Sequence, residues 1–292
     1  MEIKTEDQIE KGLEFLENEC DKGYKCFIGN LRNMINPILS PKEVGSSLLI
    51  LGSGLKNRSD MELTKKTIDY CKTYQNNGKY AFFKDNSLPP DTDVTSWALS
   101  TLFELNEIDE KIVSTVVEKI LFNVNEKGLI KIYFEPCNKK NRIDHVGIAN
   151  ALYLIYLFNR ERKAIKSENF LFEVLSSKEY LKGSHYYHSP DMLLYSLSKT
   201  MKFPTFNKKF GELLRSSINE RIGSTEWPLD LAMRISVAKK LDIDNETDKK
   251  KLLNLQNDDG SWPIDAIYHY GRKNGFFGSK SISTSFAIEA LK

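Results

Sequence analysis

A polar turn centred on glycine recurs six times along the chain, each time behind an apolar helical run and often ahead of an aromatic residue. The clearest copy is LLNLQNDDGSW, with Gly260 and Trp262. YCKTYQNNGKY places Gly78 before Tyr80, and LEFLENECDKGY places Gly23 before Tyr24. LFNVNEKGLI (Gly128), SKEYLKGSHYY (Gly183) and SSINERIGSTEW (Gly223, Trp227) are weaker copies. Glycine tolerates the left-handed conformation with which helices commonly end, so each copy marks a sharp turn. A second helix follows each turn, starting near Lys42, Asp91, Asp144, Pro190, Pro228 and Ser281. These second helices are apolar on most sides and rich in Ala, Ser and Gly, which suits burial and close packing. The helices before the turns carry more Lys and Glu, which suits an outer ring. The pattern predicts an all-α fold: one closed α/α-barrel domain over residues 1–292, with about six outer and six inner helices.

No strong period-two pattern marks a strand. Gly128–Pro136 is the one segment expected to form a short hairpin strand. Extra length falls between turn and inner helix at residues 24–40, 79–90, 129–142 and 263–280, and long loops of this kind are often functional. The 42 basic and 40 acidic side chains leave a net charge of +2, which gives no general attraction to nucleic acid. The N-terminus lacks a signal-peptide pattern, and the longest apolar run, Val146–Phe158, is too short to span a bilayer. Cys20, Cys26, Cys71 and Cys137 show no CxxC spacing and are expected to be reduced thiols of a cytoplasmic protein.

The segment QNDDGSW, Gln256–Trp262, resembles the Q-x3-G-x-W repeat of the squalene cyclase and class II terpene cyclase branch of the α/α-barrel superfamily that also holds the prenyltransferases. SISTSFAIEALK resembles the inner helix that closes such a repeat, and PDTDVTSWALSTL resembles the family's acid motif, usually D-x-D-D-T-A. The resemblance implies that Gln256 and Trp262 stabilise turns. It implies that Asp93, the second aspartate of the motif, is a general acid that protonates an alkene or epoxide of a hydrophobic polyene. Val94 stands where many relatives carry a third aspartate, and Ser96 replaces the usual alanine.

Aligned on their first turns, the inner helices place Glu43, Asp93, His145, Asp191, Asp230 and Ser283 in similar positions at one mouth. Such residues commonly cap helices and offset the helix dipole. For Asp93 the neighbouring Asp91 adds a reason for function, because two close carboxylates raise one pKa. His145 is placed to hydrogen-bond Asp93. Trp97, Phe83, Tyr80, Trp227, Tyr268, His269 and Phe277 are candidates for an aromatic substrate pocket, with Asp191 and Asp230 at its rim. Aromatic faces stabilise cations. YHYGRKNGFFGSK, with Arg272 and Lys273, is a candidate lid or substrate anchor.

His185, His188 and Asp191 lie close in sequence, yet no HExxH, D-x-C or DDxxD motif is present. No metal site and no cofactor are expected, with magnesium entering only if the substrate is a diphosphate. Three functions remain open. They are a small cyclase acting on an isoprenoid through Asp93, a non-catalytic lipid-binding or scaffold barrel, and another acid–base enzyme of natural-product metabolism. Peripheral membrane contact and the oligomeric state are left open by the sequence.

Overall fold

The computed structural model describes residues 2–34, 36–40, 45–58, 60–85, 87–134, 142–269 and 275–292. Among them twelve α-helices alternate between two layers. The outer layer holds α1 (Glu2–Cys20), α3 (Glu62–Lys72), α5 (Glu110–Phe122), α7 (Ile165–Ser176), α9 (Pro204–Arg221) and α11 (Glu246–Asn254). The inner layer holds α2 (Gly45–Ile50), α4 (Thr92–Glu104), α6 (His145–Leu157), α8 (Pro190–Thr200), α10 (Pro228–Lys240) and α12 (Lys280–Leu291). Inner helices pack in the order α2, α4, α6, α8, α10, α12, and α12 returns to α2. The ring is closed, as the repeat predicts.

The layers differ in burial as their sequences do. Every residue of α6 from Val146 to Tyr156 is buried, whereas α5 buries only Val113, Val116, Val117 and Ile120. α2 passes into a π-helical turn, Leu51–Leu55, whose small residues let it approach its neighbours closely. A Cβ on Gly52 would stand 2.3 Å from Trp97 Nε1. Ser53 and Ser285 hydroxyls meet at 2.8 Å between this turn and α12.

All six turn glycines have positive φ, between 70° and 81°. Gly23 lies just past the end of α1, but Gly78 does not follow its helix directly. It forms with Asn77 a two-residue turn in which both have positive φ, 49° and 78°, bridged by Asn76 and Lys79. That is the turn an Asn-Gly pair favours. The last copy closes the ring. Gln256 Nε2 donates to the carbonyls of Gln8 (2.8 Å) and Gly260 (2.9 Å), and the fully buried Trp262 donates from Nε1 to Leu252 O at 2.8 Å. Trp262 also packs on Gly12 of α1, so the ends of the chain are fastened together.

The strand expected at Gly128–Pro136 is not formed over its described part. There Ile130 and Tyr133 make single bridges, to Val124 and Asp91. A small antiparallel sheet instead arises from the first and last inserts: β1 (Cys26–Gly29), β2 (Ile38–Ser40), β3 (Ala266–His269) and β4 (Phe276–Gly278), in the order β2-β1-β4-β3. Each strand spans only three or four residues, too short to show a period in sequence. Glu43, Cys137, Arg272 and Lys273 lie outside the described residues.

Candidate active site

Asp93 enters the barrel from the first turn of α4. That helix starts where Asp91, in extended conformation, accepts a 2.7 Å hydrogen bond from the Val94 amide through Oδ1. Asp91 is therefore the cap, and Asp93, two residues on, is turned inward and buried. Its two oxygens are held by neutral donors. Asn150 Nδ2 of α6 donates to Oδ1 at 2.7 Å, and Tyr187 Oη donates to Oδ2 at 2.6 Å. Burial raises the Asp93 pKa, the two hydrogen bonds lower it, and the balance stands at about 6. The carboxyl thus keeps its proton to a higher pH than an ordinary aspartate, half of it near pH 6, while both donors favour the carboxylate left after proton transfer. Asp91 is also raised, by burial and then by the Asp93 charge, but its Oδ1 is committed to the helix end.

Asp93 opens on a narrow pocket with a cavity volume of only about 10 Å³, lined by Gly45, Leu48, Leu49, Val94, Trp97, Tyr187 and Tyr268. Trp97, one helical turn below Asp93, is fixed by its Nε1 donating to Leu48 O at 2.9 Å. Behind it lie Tyr195 and Phe286, with ring centroids 6.1 and 6.4 Å away. Tyr268 of β3 closes the other side, 5.1 Å from Tyr187 and 5.0 Å from Phe82. Phe277 and Phe83 extend this roof, at 5.7 and 4.8 Å from Phe82. The space is far below the ~300–1,000 Å³ usual for small-molecule sites, so a polyene must displace several of these side chains.

Trp97 and Tyr268 thus line the pocket with Asp93, Phe277 and Phe83 stand further out against Phe82, and the other expected residues lie elsewhere. His145 makes no hydrogen bond to Asp93; burial lowers its pKa, against the pull of Asp144 and Glu179. Tyr80 is fully buried near Cys71 in the core, its backbone tied to the Thr95 hydroxyl. Trp227 lies under the Arg32 guanidinium, 4.6 Å from its ring centroid. His269 packs against Phe276 at 4.9 Å.

Asp191 and Asp230 do not line the pocket either, because arginines engage them. Asp191 binds Arg221 through both oxygens and Arg234 at 2.8 Å, and Arg234 reaches Asp248 at 2.8 Å. Asp230 pairs with Arg32 at 2.7 Å, and Arg32 also binds Asp265 at 2.8 Å. These pairs are nearly solvent-free, and buried charges persist only when paired in this way.

Sequence reasoning missed Asn150 and Tyr187. One amide inside the apolar run Val146–Phe158 was a signal, since a buried amide needs a partner. Tyr187 ends the turn copy SKEYLKGSHYY, where nothing local links it to the acid.

The family of the sesquiterpene cyclase astC-like C-terminal domain matches residues 9–158. Drimenol cyclase drtB of Aspergillus calidoustus is 28% identical over 209 residues, covering 70% of this chain and 38% of that protein. The chain therefore spans about two fifths of that relative's length. Among solved structures, a protein from Actinoplanes superposes with a TM-score of 0.71 at 13% identity, covering 98% of both chains. A ligand-free variant of the type II terpene cyclase MstE from Scytonema gives 0.71 at 11% identity, covering 99% of this chain and 96% of that one. Another MstE variant, in complex with its substrate geranylgeranyl dihydroxybenzoate, gives 0.67 at 12%, covering 99% and 97%. The fold is that of type II terpene cyclases.

Proposed function

Since the chain belongs to the sesquiterpene cyclase astC-like C-terminal domain family, we propose that it cyclises an isoprenoid, or a related polyene, by protonation from Asp93. The observation that carries the reading is the pairing of a buried carboxyl, hydrogen-bonded among the described residues by Asn150 and Tyr187, with an aromatic pocket. The Asp93 carboxyl transfers its proton to the terminal alkene, and the electron pair of that alkene forms the new C–H bond. The resulting cation is attacked by the next alkene, closing a ring. Trp97, Tyr187 and Tyr268 offer π faces to the migrating charge and keep water out. The last cation loses a proton to water, or is captured by a water that then gives up a proton, and solvent returns a proton to Asp93 after release.

A polyene substrate is drawn from apolar surroundings. Among the described residues no helix is long and apolar enough to cross a membrane. Leu31, Ile38 and Leu39, from the first insert, are 57%, 75% and 46% exposed and give an apolar surface for peripheral membrane contact. Product analysis with farnesyl and geranylgeranyl substrates tests the function. The native protein forms cyclic products, and Asp93→Asn forms none while remaining folded. Undiminished cyclisation by the variant removes Asp93 from the acid role. Binding without turnover by native protein points to a lipid-binding barrel instead.

A further inference from the structure

The residue before α6 does more than its helix requires. Asp144, buried and in extended conformation, caps α6 through Oδ1, which accepts from the Val146 and Gly147 amides at 2.9 and 3.3 Å. A serine serves that purpose before α8 and α12, where Ser189 and Ser279 are the caps. The second oxygen of Asp144 has a partner of another kind. Oδ2 accepts from the Tyr186 amide at 3.2 Å, 42 residues further along the chain.

That bond joins two segments that meet again at Asp93. α6 carries Asn150, whose Nδ2 donates to Asp93 Oδ1. Tyr186 precedes Tyr187, whose hydroxyl donates to Asp93 Oδ2. Tyr186 O also accepts from the His269 amide at 2.7 Å, beside Tyr268 of the pocket wall. Two donors on separate segments hold a carboxyl in one geometry only while the segments keep their spacing. A misplacement of about 1 Å at such groups costs on the order of a hundredfold in rate.

We propose that Asp144 is a positioning residue of the acid site, setting Asn150 and Tyr187 at the spacing that holds Asp93. It is not among the residues that line the pocket, and it acts through those two donors. The consequence for turnover rests on the cyclase reading; the holding of Asp93 does not.

Among the described residues, the titratable groups around Asp93 and Asp144 are Asp91 of α4, His145 of α6, Tyr186, Tyr187 and Lys199 of α8. Burial raises the Asp93 pKa most, Tyr187 and Asn150 lower it, and the Asp144 charge raises it by less than either donor lowers it. Asp144 therefore acts on Asp93 in two ways of opposite sign. Loss of its charge alone lowers the Asp93 pKa, whereas loss of the donors' alignment raises it.

Asp144→Ser keeps a helix cap and gives up the reach to Tyr186. One readout needs no turnover. Denaturant melts of Asp144→Ser with and without Asp93→Asn, taken across pH, locate the folded-state pKa of Asp93. The gain from Asp93→Asn levels off above about 6 in the native background and should level off about half a pH unit or more higher beside Asp144→Ser. The other readout is kinetic. Asp144→Ser lowers kcat about 10–100-fold with KM within about threefold, and its loss combined with that of Tyr187→Phe falls short of multiplicative. If Asp144→Ser does not fold, Asp144→Asn, which keeps an oxygen for the cap and turns an N–H toward Tyr186, carries the same readouts. The proposal is overturned if the Asp93 pKa stays or falls, as loss of charge alone would produce, if kcat stays within about twofold, or if the two losses multiply. Should native protein give no cyclic product, the cyclase reading fails, and the melts still decide whether Asp144 positions the acid.

Discussion

Asp93 and Asp191 enter inner helices at matching places and finish with opposite partners. Asp191 is met by two guanidinium groups, whereas Asp93 is met by a phenol and an amide. Neutral donors leave Asp93 able to hold a proton, with a pKa of about 6 against an ordinary 3.8. A carboxyl raised in this way contributes stability that is full below pH 3.8 and lost as pH rises through 6. Asp93→Asn should therefore gain stability relative to native as pH climbs from 4 to 6, by about 3 kcal/mol, and then hold level. Denaturant melts at several pH values measure this, and a constant difference would contradict the raised pKa. Tyr187→Phe removes a donor to the carboxylate, so the pKa rises further and the conjugate base is less stabilised. Its turnover should fall about 10–100-fold, with the alkaline limb of kcat/KM displaced upward in a pH profile. Asp93 was legible in sequence because its motif is local. Asn150 and Tyr187 were not, because they lie 57 and 94 residues away and only the barrel brings them to the acid.

At the scale of the element, the turns were legible and the sheet was not. A glycine in a fixed place behind a helical run signals a backbone requirement, and Gly23, Gly78, Gly128, Gly183, Gly223 and Gly260 all meet it with positive φ. Strands β1 to β4 come from two inserts at opposite ends of the chain, and their pairing is a tertiary event. Phe27 opposite Gly278, for example, has no local signal. Gly78→Ala places a Cβ 2.8 Å from Val116 Cγ2 on a backbone with φ of 78°. The variant should lose about 1–3 kcal/mol in a denaturant melt, with the fold retained. No loss would mean that the turn relaxes freely.

Across the whole molecule, barrel closure depends on contacts between first and last helices, and the Q-x3-G-x-W copy supplies them. Trp262→Ala empties a fully buried indole site between α1 and α11 and breaks its hydrogen bond to Leu252 O. A loss of about 3–5 kcal/mol is expected; a loss below 1 would show that the ring closes by other means. The barrel itself was legible because six copies of one unit can bury their apolar helices only by closing on each other. The buried network of Arg234, Asp191 and Asp248 was not legible, since its members come from three helices and carry no motif. The reaction proposed for this barrel begins with a proton from solvent, passed through Asp93, which sets it apart from a reaction begun by ionisation of the substrate. Turnover in deuterium oxide, followed by mass spectrometry of the cyclic product, reads that origin. One deuterium on the ring methylene beside the gem-dimethyl carbon, the alkene CH that took up the proton, is the expected result, with no cyclic product from Asp93→Asn. A cyclic product carrying no deuterium would contradict protonation as the first step.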